Sequence, residues 1–125
     1  MSSSQNINFL EKLKARNKKN LKVEEVYLNS ELSVQTFDFL KKQAYLKYSN
    51  INIILKNIFD INFPFGNVLL NEKNEIIGFL GTMISARVNK NENYILCNLH
   101  TWIVNKSNRL NSYLLLMPLL EKNYV

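Results

Sequence analysis

Apolar residues recur at helical spacing in the first half of this chain and in strand-like runs in the second half, with the change near residue 63. Ile7, Leu10 and Leu13 fall at helical spacing among basic residues, which predicts a peripheral helix or loosely docked arm over 5–17. Leu21 to Leu28 places Val23 and Val26 between charged neighbours and reads as a first, edge strand. Ser30 and Ser33 are both candidate N-caps for a helix whose one face carries Val34, Phe37, Leu40, Ala44 and Tyr48. A second short helix is expected behind Asn50, because Ile51, Ile54, Leu55, Ile58 and Phe59 follow the i, i+3, i+4, i+7, i+8 stripe. Phe63-Pro64-Phe65-Gly66 ends it.

The second half reads as strands. Asn67 to Leu70 is short and apolar, and Asn71–Asn74 is a polar turn. Ile76 to Val88 is a long apolar run containing Gly78 and Gly81, where glycine predicts a bulge or a close backbone contact. After a second polar turn at 89–93, Tyr94 to Val104 is the next strand, and an apolar helix is expected from Ser112 onward. The order is strand, helix, helix, strand, strand, strand, helix. Three consecutive strands joined by tight turns form an antiparallel meander, so the fold class is α+β: a mixed, mostly antiparallel sheet with helices on both sides.

Composition changes this picture little. The 125 residues allow one domain, 46% hydrophobic and 21% charged, as in ordinary globular chains. The longest apolar run, Tyr113 to Leu120, is far below the roughly 18–20 residues that span a bilayer. No basic cluster followed by an apolar stretch opens the chain, so a cytoplasmic location is the default expectation. The single cysteine, Cys97, excludes an internal disulfide and a cysteine-based metal cluster; it reads as a small core residue. Much of the net charge of +6 sits in Lys12–Lys22, a solvated helix face or frayed arm in the plainer reading and a nucleic-acid contact in the weaker one. Residues 1–20 are thus expected to form a peripheral helix or a disordered basic arm, and 21–125 the domain.

The chemistry concentrates at the exit from the last strand. Trp102-Ile103-Val104 runs into the polar turn Asn105-Lys106-Ser107-Asn108, then Arg109 and an apolar helix. A helix start offers unpaired amides and a partial positive charge to an anion, and Arg109 adds a planar cation beside it. His100 is the one histidine and, with an ordinary pKa near 6.5, the one side chain of this strand suited to proton transfer near neutrality. By alternation it shares a face with Asn98 and Trp102, while Cys97 and Thr101 point away. The plainer alternatives are a partly buried, hydrogen-bonded histidine and a core tryptophan.

Over about residues 21–124 the chain resembles the GNAT acyltransferase superfamily. The resemblance rests on Ile76-Ile77-Gly78-Phe79-Leu80-Gly81, like that family's third strand, and on the spacing from Val104 to Arg109, like its R-x-x-G-x-G/A turn. Here that turn reads Arg109-Leu110-Asn111-Ser112-Tyr113-Leu114, with Ser112 and Leu114 in the two glycine places. The resemblance implies an acyl-CoA-dependent N-acyltransferase, with acetyl-CoA or another acyl-CoA as co-substrate and an amine as acceptor. It implies that Ile103 and Val104 pair their peptide groups with pantetheine, and that Arg109, Leu110, Asn111, Ser112 and Tyr113 hold the pyrophosphate. The fourth-strand position that carries a glutamate in some members is Asn98, which cannot accept a proton; this leaves His100 as the catalytic candidate. The family continues with a fifth strand, splayed from the fourth, so an incomplete domain without its C-terminal strands is expected. Pro118 is expected to kink or shorten the last helix. The rival expectation is a non-catalytic GNAT-like interaction module whose open fourth strand is completed by a homodimer or a partner strand.

Overall fold

The computed structural model describes residues 20–43 and 61–125. The helix expected over 5–17, most of the basic run and the helix expected over 51–59 lie outside the described residues. Within them the order is β1 (Lys22–Val26), α1 (Glu31–Lys41), β2 (Gly66–Leu70), β3 (Ile76–Asn89), β4 (Glu92–Val104), a 3-10 helix (Lys106–Leu115) and α2 (Met117–Leu120). The strands form one antiparallel sheet in sequence order, β1-β2-β3-β4. The α+β class, the antiparallel meander and the positions of all four strands agree with the sequence pattern to within two residues.

Local chemistry accounts for the joints. The β3–β4 turn closes through Lys90 and Asn91, both at positive φ (49° and 67°), the mirror-image turn that matches strand twist and that asparagine tolerates. The β2–β3 turn is held by Asn71, whose Oδ1 accepts from the amides of Lys73 and Glu75. Ser30 is the residue before α1, but its hydroxyl donates back to the Tyr27 carbonyl at 2.7 Å and no side chain caps the first amides. Ser33 lies inside the helix and donates to the Ser30 carbonyl. The buried face of α1 carries Ser33, Thr36 and Leu40, with Phe37 packed alongside. Val34, expected on that face, is 65% exposed. The small hydroxyl residues let the helix approach the sheet, their hydroxyls satisfied by carbonyls of the preceding turn. Ala44 and Tyr48 lie outside the described residues.

Both faces of the sheet are covered. On the α1 face, Val26, Leu40, Val68, Phe79 and Ile103 form one buried cluster, with Phe65 stacked on Phe37 at 5.2 Å. On the other, Leu69, Ile77, Leu80, Leu114, Leu115 and Met117 form a second. Covered on both sides, β2 is buried at every position, which is why it reads as an unbroken apolar run without alternation. Asn67 is the polar exception, and its Nδ2 donates to the Leu115 carbonyl at 3.2 Å. Asn67→Leu strands that carbonyl in an apolar core, so chemical denaturation is expected to show a loss of about 1–3 kcal/mol.

The expected helix from Ser112 onward is not continuous. A 3-10 helix begins six residues earlier, at Lys106, and ends at Leu115; α2 then starts with Pro118 in its first turn. Proline lacks the amide that would bond the Leu114 carbonyl four residues back, so an α-helix cannot run through it, yet it fits a helix's first turn. Of the two expected effects of Pro118 the structure shows the shortening and not the kink: the helix restarts at the proline. Beyond α2 the chain returns to the sheet: the Val125 amide donates to the Ile95 carbonyl at 2.8 Å and the Cys97 amide to the Val125 carbonyl at 3.0 Å, in a parallel bridge on the outer edge of β4. Lys122 reaches Glu25 of β1 at 3.0 Å and ties this tail down on the way.

Candidate functional site: the end of β4

The alternation of β4 is broken once. Trp102 lies opposite Leu80 and Leu99 opposite Thr82, so two residues of β4, His100 and Thr101, face the single residue Gly81. This β-bulge inverts the expected facing. Trp102 pairs with Leu80 and belongs to the face covered by the 3-10 helix, whereas His100 lies with Gly81 and Phe79 on the α1 face. Thr101, expected to point away from His100, brings its Oγ1 to 2.9 Å from the imidazole Nδ1. Asn98, opposite Met83, keeps the face shared with His100. The extra residue is what the period of two cannot anticipate.

Gly81 is required here. The imidazole lies so close over it that a Cβ at this position would overlap the ring. This is the close contact that the glycines of β3 predict. His100 as a residue stays exposed to solvent, but partial desolvation of its imidazole over Gly81 and Phe79 pushes the pKa below its ordinary value, against a smaller upward effect of a backbone hydrogen bond with Thr82. The neutral form, which accepts a proton, therefore prevails at neutral pH. Cys97 lies opposite Ile84, half-buried, and burial raises its thiol pKa, so it stays protonated and inert.

Between the last residues of β4 and the 3-10 helix lies an open cleft of about 420 Å³, lined by Trp102, Ile103, Val104, Arg109 and Ser112. Four of the seven residues expected to hold a cofactor thus meet in one place: Ile103 and Val104 from the strand, Arg109 and Ser112 from the helix. Trp102, 48% exposed, forms the apolar wall. The other three do not line it. Leu110 is 93% exposed, Asn111 is half-buried, and Tyr113 packs against the second core cluster. Leu114, in the second glycine place, turns its side chain into that core and leaves the cleft clear.

The geometry of the turn differs from the expected helix start. Residues 109–113 lie inside the 3-10 helix rather than at its start, which falls at Lys106; the Asn108 amide already bonds the Asn105 carbonyl at 2.9 Å. Asparagine and serine favour such local hydrogen bonds, which start a tight helix early. The side chains of Arg109 and Ser112, rather than a row of free amides, are what the helix presents to the cleft.

The backbone of β4 adds a second resource. Ile95 and Cys97 direct their peptide groups to the outer edge, where Val125 meets them, and alternation carries Leu99 outward too. Past the bulge, Asn105 donates inward to Ile77, which turns Trp102 and Val104 outward. Among the described residues no strand pairs with this stretch. No group of three or more metal-ligating side chains occurs among them, and no helix is long and apolar enough to cross a membrane. Compared with known proteins, the chain matches no family model and no curated protein.

Proposed function

We propose that this chain folds as a GNAT-type domain and transfers an acetyl or other acyl group from acyl-CoA to an amine. The observation that carries the reading is the cleft at the end of β4, where an arginine, a serine hydroxyl and outward-facing strand peptides converge. Arg109 and Ser112 are the polar groups suited to a pyrophosphate. The outward peptides of Trp102 and Val104 suit the amides of pantetheine, and an outward N–H is also a donor for the oxyanion that develops on the thioester carbonyl. The acceptor amine attacks that carbonyl directly, the thiolate of coenzyme A leaves, and the neutral imidazole of His100 takes the amine proton from the α1 face, directly or through a water.

Arg109 supplies the test. Hydrogen bonds to charged groups contribute about 1.5–3 kcal/mol, so Arg109→Ala is expected to weaken coenzyme A binding by about tenfold to a hundredfold in titration calorimetry, with the fold unchanged. Binding by the parent chain is itself expected to be weak, because Ser112 occupies a glycine place of the phosphate turn and narrows it. An absence of binding, or equal binding by the variant, overturns the reading.

A further inference from the structure

The bulge in β4 does more than turn His100 to the α1 face. Adjacent strand residues ordinarily point to opposite faces, yet His100 and Thr101 both stand against Gly81 and their polar atoms meet, Thr101 Oγ1 lying 2.9 Å from the imidazole Nδ1. Gly81 has no side chain, so the ring turns the edge that carries both nitrogens down onto β3. There it bonds the backbone of Thr82. The Thr82 N–H already donates to the Phe65 carbonyl at 2.9 Å and its hydroxyl to the Pro64 carbonyl at 3.1 Å. What remains for the ring is the Thr82 carbonyl, which can only accept. A neutral imidazole carries a single N–H, and the Thr82 carbonyl takes it. The other nitrogen keeps a lone pair that needs a donor, and the Thr101 hydroxyl stands at Nδ1 to supply one.

We propose that Thr101 is the proton entry to His100: its hydroxyl donates to Nδ1 while the Thr82 carbonyl holds the hydrogen on Nε2, so a proton reaches the imidazole by way of Thr101. The proposal rests on the acyltransferase reading for its substrate, an amine, and adds a residue to that site. As the amine attacks the thioester carbonyl, its N–H bond breaks and Thr101 Oγ1 receives a proton, from the amine itself or from a water between them. The hydrogen already on Oγ1 passes to Nδ1. The hydroxyl is thereby restored, and the ring becomes an imidazolium whose two N–H groups bond Thr101 and Thr82. Both bonds favour that charged form, because each nitrogen then donates to an accepting oxygen. A threonine hydroxyl alone is too weak a base for the step; the imidazole behind it supplies the basicity. The imidazolium afterwards returns its proton to solvent along the same path.

Nitrogen NMR of the histidine ring and a rate measurement test this together. In the isotope-labelled full chain, at a pH where His100 is neutral, the ring hydrogen is expected on Nε2. In Thr101→Val the Nδ1 resonance should move downfield as its hydrogen bond is lost, while that of Nε2 stays in place. With acetyl-CoA and a panel of small primary amines, release of coenzyme A should fall about tenfold or more in Thr101→Val and recover in Thr101→Ser, which restores the hydroxyl. Thr101→Val combined with His100→Ala should be no slower than His100→Ala alone, because both interrupt one path. A ring hydrogen on Nδ1 overturns the proposal whatever the activity, and it is read on the unsubstituted chain, so no variant need fold. A Thr101→Val rate equal to the parent's, beside a loss in His100→Ala, overturns the proton entry and leaves the acyltransferase reading standing. A parent chain that releases no coenzyme A with these amines overturns that reading, and the proton entry with it.

Discussion

Phe79→Ala is expected to remove about 3–5 kcal/mol of folding stability, the cost of emptying a fully packed aromatic site. Phe79 is completely buried at the centre of the α1-face cluster, 6.2 Å from the Phe65 ring. Its ring lies over Gly66, close enough that a Cβ there would collide with it. Because strand and ring interlock, collapse of the site after truncation is restricted and the cavity term persists. Against a typical total of about 5–15 kcal/mol, the loss is a large fraction. Urea denaturation of the variant measures it, with Val34→Ala as the exposed reference, expected within about 0.5 kcal/mol of the parent. A Phe79→Ala loss below about 1 kcal/mol would show that the two sheet faces are not packed as described.

On the proposed acyltransferase reading, His100→Ala is expected to lower the acyl-transfer rate by about 10²–10⁴-fold, the usual contribution of a positioned general base, with coenzyme A affinity nearly unchanged. The pH dependence separates this from a structural role. Partial desolvation lowers the folded-state pKa of His100 below the ordinary 6.5, so the parent rate should fall only as pH drops through that lowered value. His100→Ala should show no such fall. Full activity with the parent's pH profile would remove His100 from the mechanism.

The same shift carries a stability term, and its direction follows from proton binding. Between the lowered folded pKa and the unfolded value near 6.5, the unfolded chain binds the proton more readily than the folded one. The parent therefore loses stability as pH falls through that window, and the loss is complete below the folded pKa. His100→Asn should flatten this part of the profile. That outcome tests the packing of the imidazole over Gly81 independently of any activity.

Much of the architecture was legible in the residues. The meander followed from apolar runs separated by asparagine-rich turns, and Lys90 and Asn91 at positive φ are what such a turn requires. Ile103, Val104, Arg109 and Ser112 were named together through the family resemblance, and the strand leading into a helix across a short turn does bring these four to one cleft. The facing of His100 and Trp102 was not legible, because a bulge adds one residue without leaving a mark that distinguishes Thr101 from any other strand residue. A signal did exist in Gly81, the residue opposite the bulge, where glycine predicts a bulge or a close contact, though not which strand would carry the extra residue or which side chain would lie on the glycine. The early 3-10 start at Lys106 was open to anticipation from Asn105, Ser107 and Asn108, all of which favour local hydrogen bonds over the α-helical ladder.

The sequence by itself determined the strands, the antiparallel meander of β2, β3 and β4 and the interruption of the last helix at Pro118, since each depends on contacts or dihedral limits within a few residues; the pairing of β1 with β2, far apart in the chain, it left open. Only the tertiary structure decided which face each β4 side chain occupies, that Leu114 turns inward, that Val34 stays outside, and that Val125 returns to pair with β4. These depend on where a second element lies and how it meets the first. One unpaired residue reverses a face, and a helix buries whichever of its sides the sheet happens to meet.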